Sequence, residues 1–275
     1  MAVSTKSRFG VGAVVGTPQV GSDFNRFESH SDPRHQLGWS AEDVDGNVYR
    51  YAQFGADVNR GVLVATDLSE SCLGDSDGVI VASASSTLGT DGLIKTKYIE
   101  ITAGDGAGAI LTDQFAGGKF IVSDDAGEGY TYDIVGNTFN ATSGSAFRLQ
   151  LKQPLQVAVT SATDFIIVGN KYANLEIATR ATDNYVSGVT CSTMDVSEAS
   201  YGWVQTKGVV GILTDAGVSG VSDANEKIVL SSGTSGAVTC VGDESQTTPT
   251  LNTVLGSCII AGDDTGHGAY YIDLE

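Results

Sequence analysis

Residues 201–213 read YGWVQTKGVVGIL. Two large aromatics, a lone lysine and a glycine sit inside an otherwise strand-like run. Side chains on a strand alternate between its faces, so Tyr201, Trp203 and Gln205 share one face and Gly202, Val204 and Thr206 the other. A platform for stacking sugars or single-stranded nucleic acid brings further exposed aromatics with polar or basic neighbours. Here the residues after Lys207 are aliphatic, and the whole chain holds two tryptophans. Tyr201 and Trp203 therefore read as core or subunit-interface residues rather than as a ligand platform.

Working outward, the same texture fills most of the chain. Downstream, EKIVLSS, GAVTCVG, VLGSCIIAG and AYYIDLE are further short runs separated by turn residues. Upstream, DVDGNVYRYAQFG places Asp45-Gly46 between two runs, a pair suited to a type I′ hairpin, with Tyr49 and Tyr51 on one face and Arg50 and Ala52 on the other. RGVLVATD and DSDGVIVASAS are short strands, and KTKYIEIT (95–102) alternates cleanly. KFIVSDDAGEGYTYDIV reads as a hairpin with Phe120, Val122, Tyr130, Tyr132 and Ile134 on one face. FRLQLKQPL and DFIIVGNKYANLEIAT continue the series. Thirty-five glycines against four prolines suit many tight turns, and no Gly-X-Y period points to collagen. The class expected is all-β: short-stranded β-barrel or sandwich modules with an extended N-terminal arm.

The arm is residues 1–38. It has no sustained period and is broken by glycine, proline and small polar residues. It carries Lys6, Arg8, Arg26 and Arg34 against Asp23, Glu28 and Asp32, a net +1, which leaves −19 for the rest of a chain whose total is −18. Its apolar groups, among them Phe9, Phe24 and Phe27, have no spacing able to make a core of their own, so they need another surface to lie on. Phe9, Phe24, Arg26, Phe27, Arg34, Tyr201 and Trp203 are thus the candidate interface residues.

The strong negative charge argues against a nucleic-acid partner, whose phosphates require clustered Lys and Arg. No stretch approaches the length of a membrane helix, and MAVSTKSRFG lacks the apolar segment of a secretory signal, so no membrane is expected and the place of synthesis is a cytoplasm. Cys72, Cys191, Cys240 and Cys258 are scattered without a CxxC pair and read as unpaired thiols.

Chemistry-bearing motifs are weak. Acidic turns at 42–47, 74–78, 102–108, 124–129 and 262–268 invite calcium, but in EDVDGN the sixth loop position is Val48 and the twelfth Phe54. The glycine bend and bidentate carboxylate of an EF-hand are both missing. His30, His35 and His267 lack ligand spacing. SSGTSGAV is not a nucleophile elbow, and GDGAGA is followed by no helix that could hold a phosphate. No catalytic residue, metal or cofactor is expected.

A resemblance adds to this. YGWVQTKGVVGILTD, EKIVLSSGTSGAV and VLGSCIIAG…GAYYIDLE resemble the C-terminal region of tailed-bacteriophage proteins encoded beside the major capsid protein. YRYAQFGADVNRGVLV and AGGKFIVSDDAGEGYTYDIVGN resemble their upstream segments. The resemblance implies a capsid decoration, or cement, protein: a non-enzymatic virion component, made in the bacterial host and seated on the outer capsid surface. It implies the major capsid protein and further copies of this chain, as a homotrimer, for partners. It also implies a β-barrel body from 39–85 with 185–275 and an inserted β-module at 86–184. The alternatives are a phage fibre or receptor-binding protein recognising host glycans, and a β-sandwich hydrolase.

Overall fold

The computed structural model describes residues 24–67, 72–74, 78–81, 85, 90–104, 109–142, 144–179, 184–215, 226–241, 254–262 and 266–275. Phe9 and the rest of residues 1–23 lie outside them. The fold is all-β: one sheet has half-barrel form and another is a nearly closed barrel. In chain order the strands are β1 (Ser40–Glu42), β2 (Val48–Gln53), β3 (Leu63–Asp67), β4 (Cys72–Gly74), β5 (Gly78–Ile80), β6 (Tyr98–Ala103), β7 (Lys119–Val122), β8 (Thr131–Asn137) and β9 (Ala146–Leu151). They continue with β10 (Phe165–Val168), β11 (Leu175–Ile177), β12 (Asn184–Thr190), β13 (Tyr201–Leu213), β14 (Lys227–Leu230), β15 (Val238–Cys240), β16 (Gly256–Ile260) and β17 (His267–Asp273).

The chain divides into two compact units, Met1–Asp67 with Lys171–Glu275, and Leu68–Asn170. In the first, the strand order is β11-β3-β12-β13-β17-β16-β14-β15, with the β1–β2 hairpin attached to β13 through β2. In the second the order is β4-β10-β7-β8-β9-β6-β5. In the second unit the core is built by alternation. In β9, Phe147, Leu149 and Leu151 are buried while Ala146 and Gln150 are exposed. These pack with Ile99, Ile101, Phe120 and Phe165 in the second unit, where the Phe120 and Phe165 rings stack at 5.8 Å. The first unit buries Leu63, Val189, Ile212, Ile228, Tyr270 and Ile272 together.

The expected hairpin at 119–134 is present. β7 pairs β8 with Phe120 opposite Tyr132, and Phe120, Val122, Tyr132 and Ile134 all point into the core, with Tyr130 left half-exposed. Three expectations are corrected. The inserted unit spans 68–170 rather than 86–184, because β4 and β5 pair within the second sheet while β11 pairs β3 in the first. The run DFIIVGNKYANLEIAT, read as one series, crosses this boundary: β10 belongs to one sheet and β11 to the other. The strand expected at 95–102 begins at Tyr98, since Lys95 has a positive φ of 70° and sits in a turn. The β1–β2 turn is not type I′, which needs two positive-φ residues. Only Gly46 (φ 83°) is left-handed there, Gly46 N–H donates to Asp43 C=O, and Asp43 N–H donates to Asn47 C=O. It is a three-residue connection closed by a left-handed glycine.

The chain leaves the first unit and returns to it at neighbouring points. β3 ends at Asp67, and Thr66 stands opposite Leu175, with its Oγ1 donating to Ala173 C=O at 3.1 Å. The 68–170 unit is therefore an insertion that closes on itself. Expressed alone it is expected to unfold cooperatively in denaturant, with strand-type circular dichroism. A fragment without a cooperative transition contradicts an independent core.

Candidate functional site

The barrel wall around β13 is where the sequence-predicted residues meet. β13 pairs β2 along 201–207 and β17 along 207–213, with β12 on the edge opposite β2. Val204 points inward to Ala52, Phe54, Leu175 and Met194. Trp203 points outward beside Tyr51, its cross-strand partner on β2, and near Tyr49. Outward aromatics should meet water, yet Tyr49 and Tyr51 are 0% exposed and Trp203 is 4% exposed. Their cover comes from the chain itself.

Residues 24–38 lie across this floor as a strap. The Phe24 ring stands edge-on to Trp203 at 4.9 Å and lies 5.4 Å from Tyr49. The His35 ring stands edge-on to Tyr51 at 5.0 Å and contacts Trp203 at 5.4 Å. Such ring pairs contribute about 0.5–1.5 kcal/mol each beyond their buried area. The backbone adds a short antiparallel bridge: His30 N–H donates to Tyr201 C=O at 2.8 Å, and Tyr201 N–H donates to His30 C=O at 3.0 Å. Arg34 N–H donates to the Tyr51 hydroxyl at 3.1 Å.

A polar chain fastens the same strap. Arg26 Nη1 donates to the Tyr49 hydroxyl at 2.6 Å, and that hydroxyl donates to Asp43 Oδ2 at 3.0 Å. Burial, with the Asp43 contact adding, pushes the Tyr49 phenol up to about 12 against the pull of Arg26. The hydroxyl thus keeps its proton and serves both neighbours. Burial works against the charged form of Asp43, but hydrogen bonds from Asn47, Tyr49 and Asp45 outweigh it and hold this carboxyl below its usual range. Its two oxygens accept from the Asp45 and Asn47 amides, the Asn47 side chain and Tyr49. The EDVDGN turn is therefore a saturated bracket for the strap.

The lysine and glycine of the quoted run now have a physical account. The ladder between β13 and β2 slips between Gln205 and Lys207, a bulge. The Gln205 side-chain amide donates to the Lys207 and Val209 carbonyls at 3.1 Å each. Gly208 has φ 101°, and Asn47 lies so close that a Cβ there would collide with its side chain. Asn47 Oδ1 accepts from Val209 N–H at 3.1 Å. Lys207 pairs Asp273 across the ladder at 3.3 Å, both exposed.

Of the residues singled out in the sequence, Phe24, Arg26, Tyr201 and Trp203 come together here. Phe27 is 60% exposed with the Arg26 guanidinium 4.8 Å over its ring. Arg34 contributes its backbone while its side chain is exposed. Sequence reasoning did not place Tyr49, Tyr51, His30, His35 or Asp43 among the interface residues. The available signal was the matching i, i+2 aromatic spacing of Tyr49/Tyr51 and Tyr201/Trp203 on two strands. Of the arm expected over 1–38, residues 24–38 are part of the barrel wall, and residues 1–23 lie outside the described residues.

Cys191 packs against the aromatic floor, and burial pushes its thiol up to about 12, so the thiolate is scarce at neutral pH. Burial also raises Cys72 and Cys258, and none of the four cysteines is in a disulfide. Among the described residues no three His, Cys, Asp or Glu gather as a metal set, and no helix is long and apolar enough to cross a membrane. Comparison with protein-family models, with curated proteins and with solved structures finds no match to this chain.

Two measurements follow from the strap. Trp203→Ala is expected to lower stability by about 3–5 kcal/mol, as large-to-small core changes do. Phe24→Ala, removing a half-buried cover, should cost about 1–2 kcal/mol and shift tryptophan emission to the red. Unchanged denaturation midpoints and emission in both variants contradict the arrangement.

A second test uses pH. His30 is 8% exposed, and burial, with Arg34 adding, lowers its proton affinity against the pull of Glu28 at 3.7 Å. A histidine lowered in the folded state binds its proton more readily when unfolded. Its contribution is therefore complete above about 6.5 and falls away as pH drops from there toward the folded-state value. His30→Gln is expected to remove that part of the acid sensitivity, read as a shallower loss of unfolding free energy between pH 6.5 and 5. A slope equal to wild type contradicts a buried neutral His30.

Proposed function

We propose that this chain is a structural virion protein, a capsid decoration or cement protein of a tailed bacteriophage. In this reading it sits on the outer shell and braces neighbouring capsomers, with the major capsid protein and further copies of itself, as a trimer, for partners. Its role is mechanical and not enzymatic.

The observation that carries the reading is the strap. Residues 24–38 are fastened to the chain's own barrel by ring contacts, a backbone bridge and the Arg26–Tyr49–Asp43 chain. A fastening of this kind transmits load from whatever precedes Phe24 into a ten-stranded sheet instead of into a loop. What precedes it is 23 residues holding Lys6, Arg8, Phe9, Val11, Val14, Val15 and Val20 against one acid, Asp23. We assign these residues as the tether to the shell. Ordering such a segment on a surface costs entropy, and exposed ion pairs contribute little, so holding power comes from many copies acting together.

The glycan-reading alternative gains less from the same wall. The Trp203 and Tyr51 faces that would stack a sugar are occupied by Phe24 and His35. A hydrolase reading would need an activated group that the wall does not supply, its thiol being held neutral.

The test is a pair of truncations. Removing residues 2–23 is expected to leave a folded protein with wild-type tryptophan emission that no longer decorates capsids at wild-type occupancy. Removing residues 2–38 is expected to strip the aromatic floor as well, lowering stability and solubility. Full decoration by the 2–23 truncation, counted by cryo-EM occupancy, overturns the tether. Absence of the protein from purified virions altogether overturns the decoration reading.

A further inference from the structure

Strap and barrel together form a cleft of about 460 Å³ on the far side of Arg26. Eleven of the described residues line it, and none of these is Asp or Glu. Instead it gathers Arg26, Arg60 and His267 around walls made by Phe27, Thr190 and Val209. Two arginines gathered in one cleft of so acidic a chain make a local positive field suited to anions.

The donors are placed to be used. Arg60 is exposed, and its guanidinium makes no hydrogen bond or ion pair with any described residue. Arg26 spends one nitrogen on Tyr49, and its plane is held by the Phe27 and Tyr49 rings at 4.8 and 5.7 Å. The His267 ring is seated on Gly61: a Cβ at that glycine would lie 2.7 Å from ring atoms Cδ2 and Nε2, and its φ of 71° already favours glycine. Two arginines, one free and one braced, give forked donors suited to a planar oxyanion.

The rest of the lining narrows the choice of anion. Gly61 N–H is spent on Thr190 C=O at 2.9 Å, and Thr190 Oγ1 is engaged with Asn59 C=O at 2.7 Å. The Gly61 amide is therefore not free to join a nest of the kind that cradles phosphate. Phe27 and Val209 remain 60% and 53% exposed at the rim, apolar surface that would lie against the carbon chain of an organic acid. The Cys191 thiol in the wall is uncharged and opposes no anion.

We propose that this cleft is a carboxylate-binding site whose occupant is an acidic side chain on an extended polypeptide, received by Arg60 and Arg26 with its aliphatic part against Phe27 and Val209. The inference does not rest on the decoration reading. It holds for any acidic polypeptide presented to this face.

The test uses the full chain labelled with nitrogen-15 and titrated at low salt with hexaglutamate, with succinate and with inorganic phosphate. Hexaglutamate is expected to move the Arg60, Gly61 and His267 amides saturably, succinate to move the same amides more weakly, and phosphate to need a higher concentration than either. Arg60→Gln, at an exposed side chain without partners among the described residues, is expected to weaken hexaglutamate binding by about 10-fold or more, the worth of a hydrogen bond to a charged group. Arg60→Lys should fall between, and Lys227→Gln, outside the cleft, should bind as wild type. Raising salt to 0.5 M should weaken all binding. Shifts absent from these amides, an Arg60→Gln variant that binds as wild type, or phosphate bound most tightly each overturn the proposal. Succinate bound more tightly than hexaglutamate overturns the polypeptide source in favour of a small organic acid.

Discussion

Strand β13 is hydrogen-bonded to β2, β12 and β17, and its outward face carries Trp203 and Tyr201 where a barrel wall ordinarily meets water. That placement sets a problem which the remainder of the first unit answers. The inward face must be aliphatic to join the core, so the aromatics are fixed outside by the two-residue period of the strand. Leaving Tyr49, Tyr51 and Trp203 bare would expose one continuous apolar patch. Residues 24–38 remove it from water, and the fasteners of this strap are drawn from the same strands that create the need: Tyr49 from β2, Tyr201 from β13, Asp43 from the turn that follows β1.

The bulge at Gln205–Gly208 has a part in this. It lets one long strand serve β2 over its first half and β17 over its second, with Asn47 filling the space a side chain at position 208 would take. Upstream of it the outer face is aromatic and strapped. Downstream it is aliphatic, with Val209 and Tyr271 directly opposite each other and both largely exposed. The cationic cleft opens between these two regimes, with Arg26 belonging to the strap and Arg60 and His267 to the barrel. Arg26 thus joins strap and cleft, holding Tyr49 on one side and facing the cleft on the other.

The sequence made the strands legible because their burial is local. Phe147, Leu149 and Leu151, or Phe120 and Val122, announce a buried face by alternation alone. The hairpin at 119–134 was readable for the same reason. What alternation does not carry is partnership. β10 and β11 are separated by six residues with similar texture, yet they belong to different sheets, so the insertion boundary could not be read from pattern. The turn at 43–47 misled in a related way: Asp45-Gly46 fits a two-residue hairpin, but Asp43 accepts from its own downstream amides and enlarges the loop by one residue. The strap was hidden most deeply. Phe24, His30 and His35 have no period among themselves, and the period that explains them lies on the strands they cover.

The central claim is that residues 24–38 are a permanent part of the barrel wall. Native-state hydrogen exchange at the His30 and Tyr201 amides tests it most directly, since each donates to the other's carbonyl. Protection of both amides approaching that of Ile212 in the core of β13 is the predicted result. Exchange of His30 and Tyr201 at unprotected rates, while Ile212 stays protected, would mean that the strap does not hold and that the aromatic floor is open to other occupants.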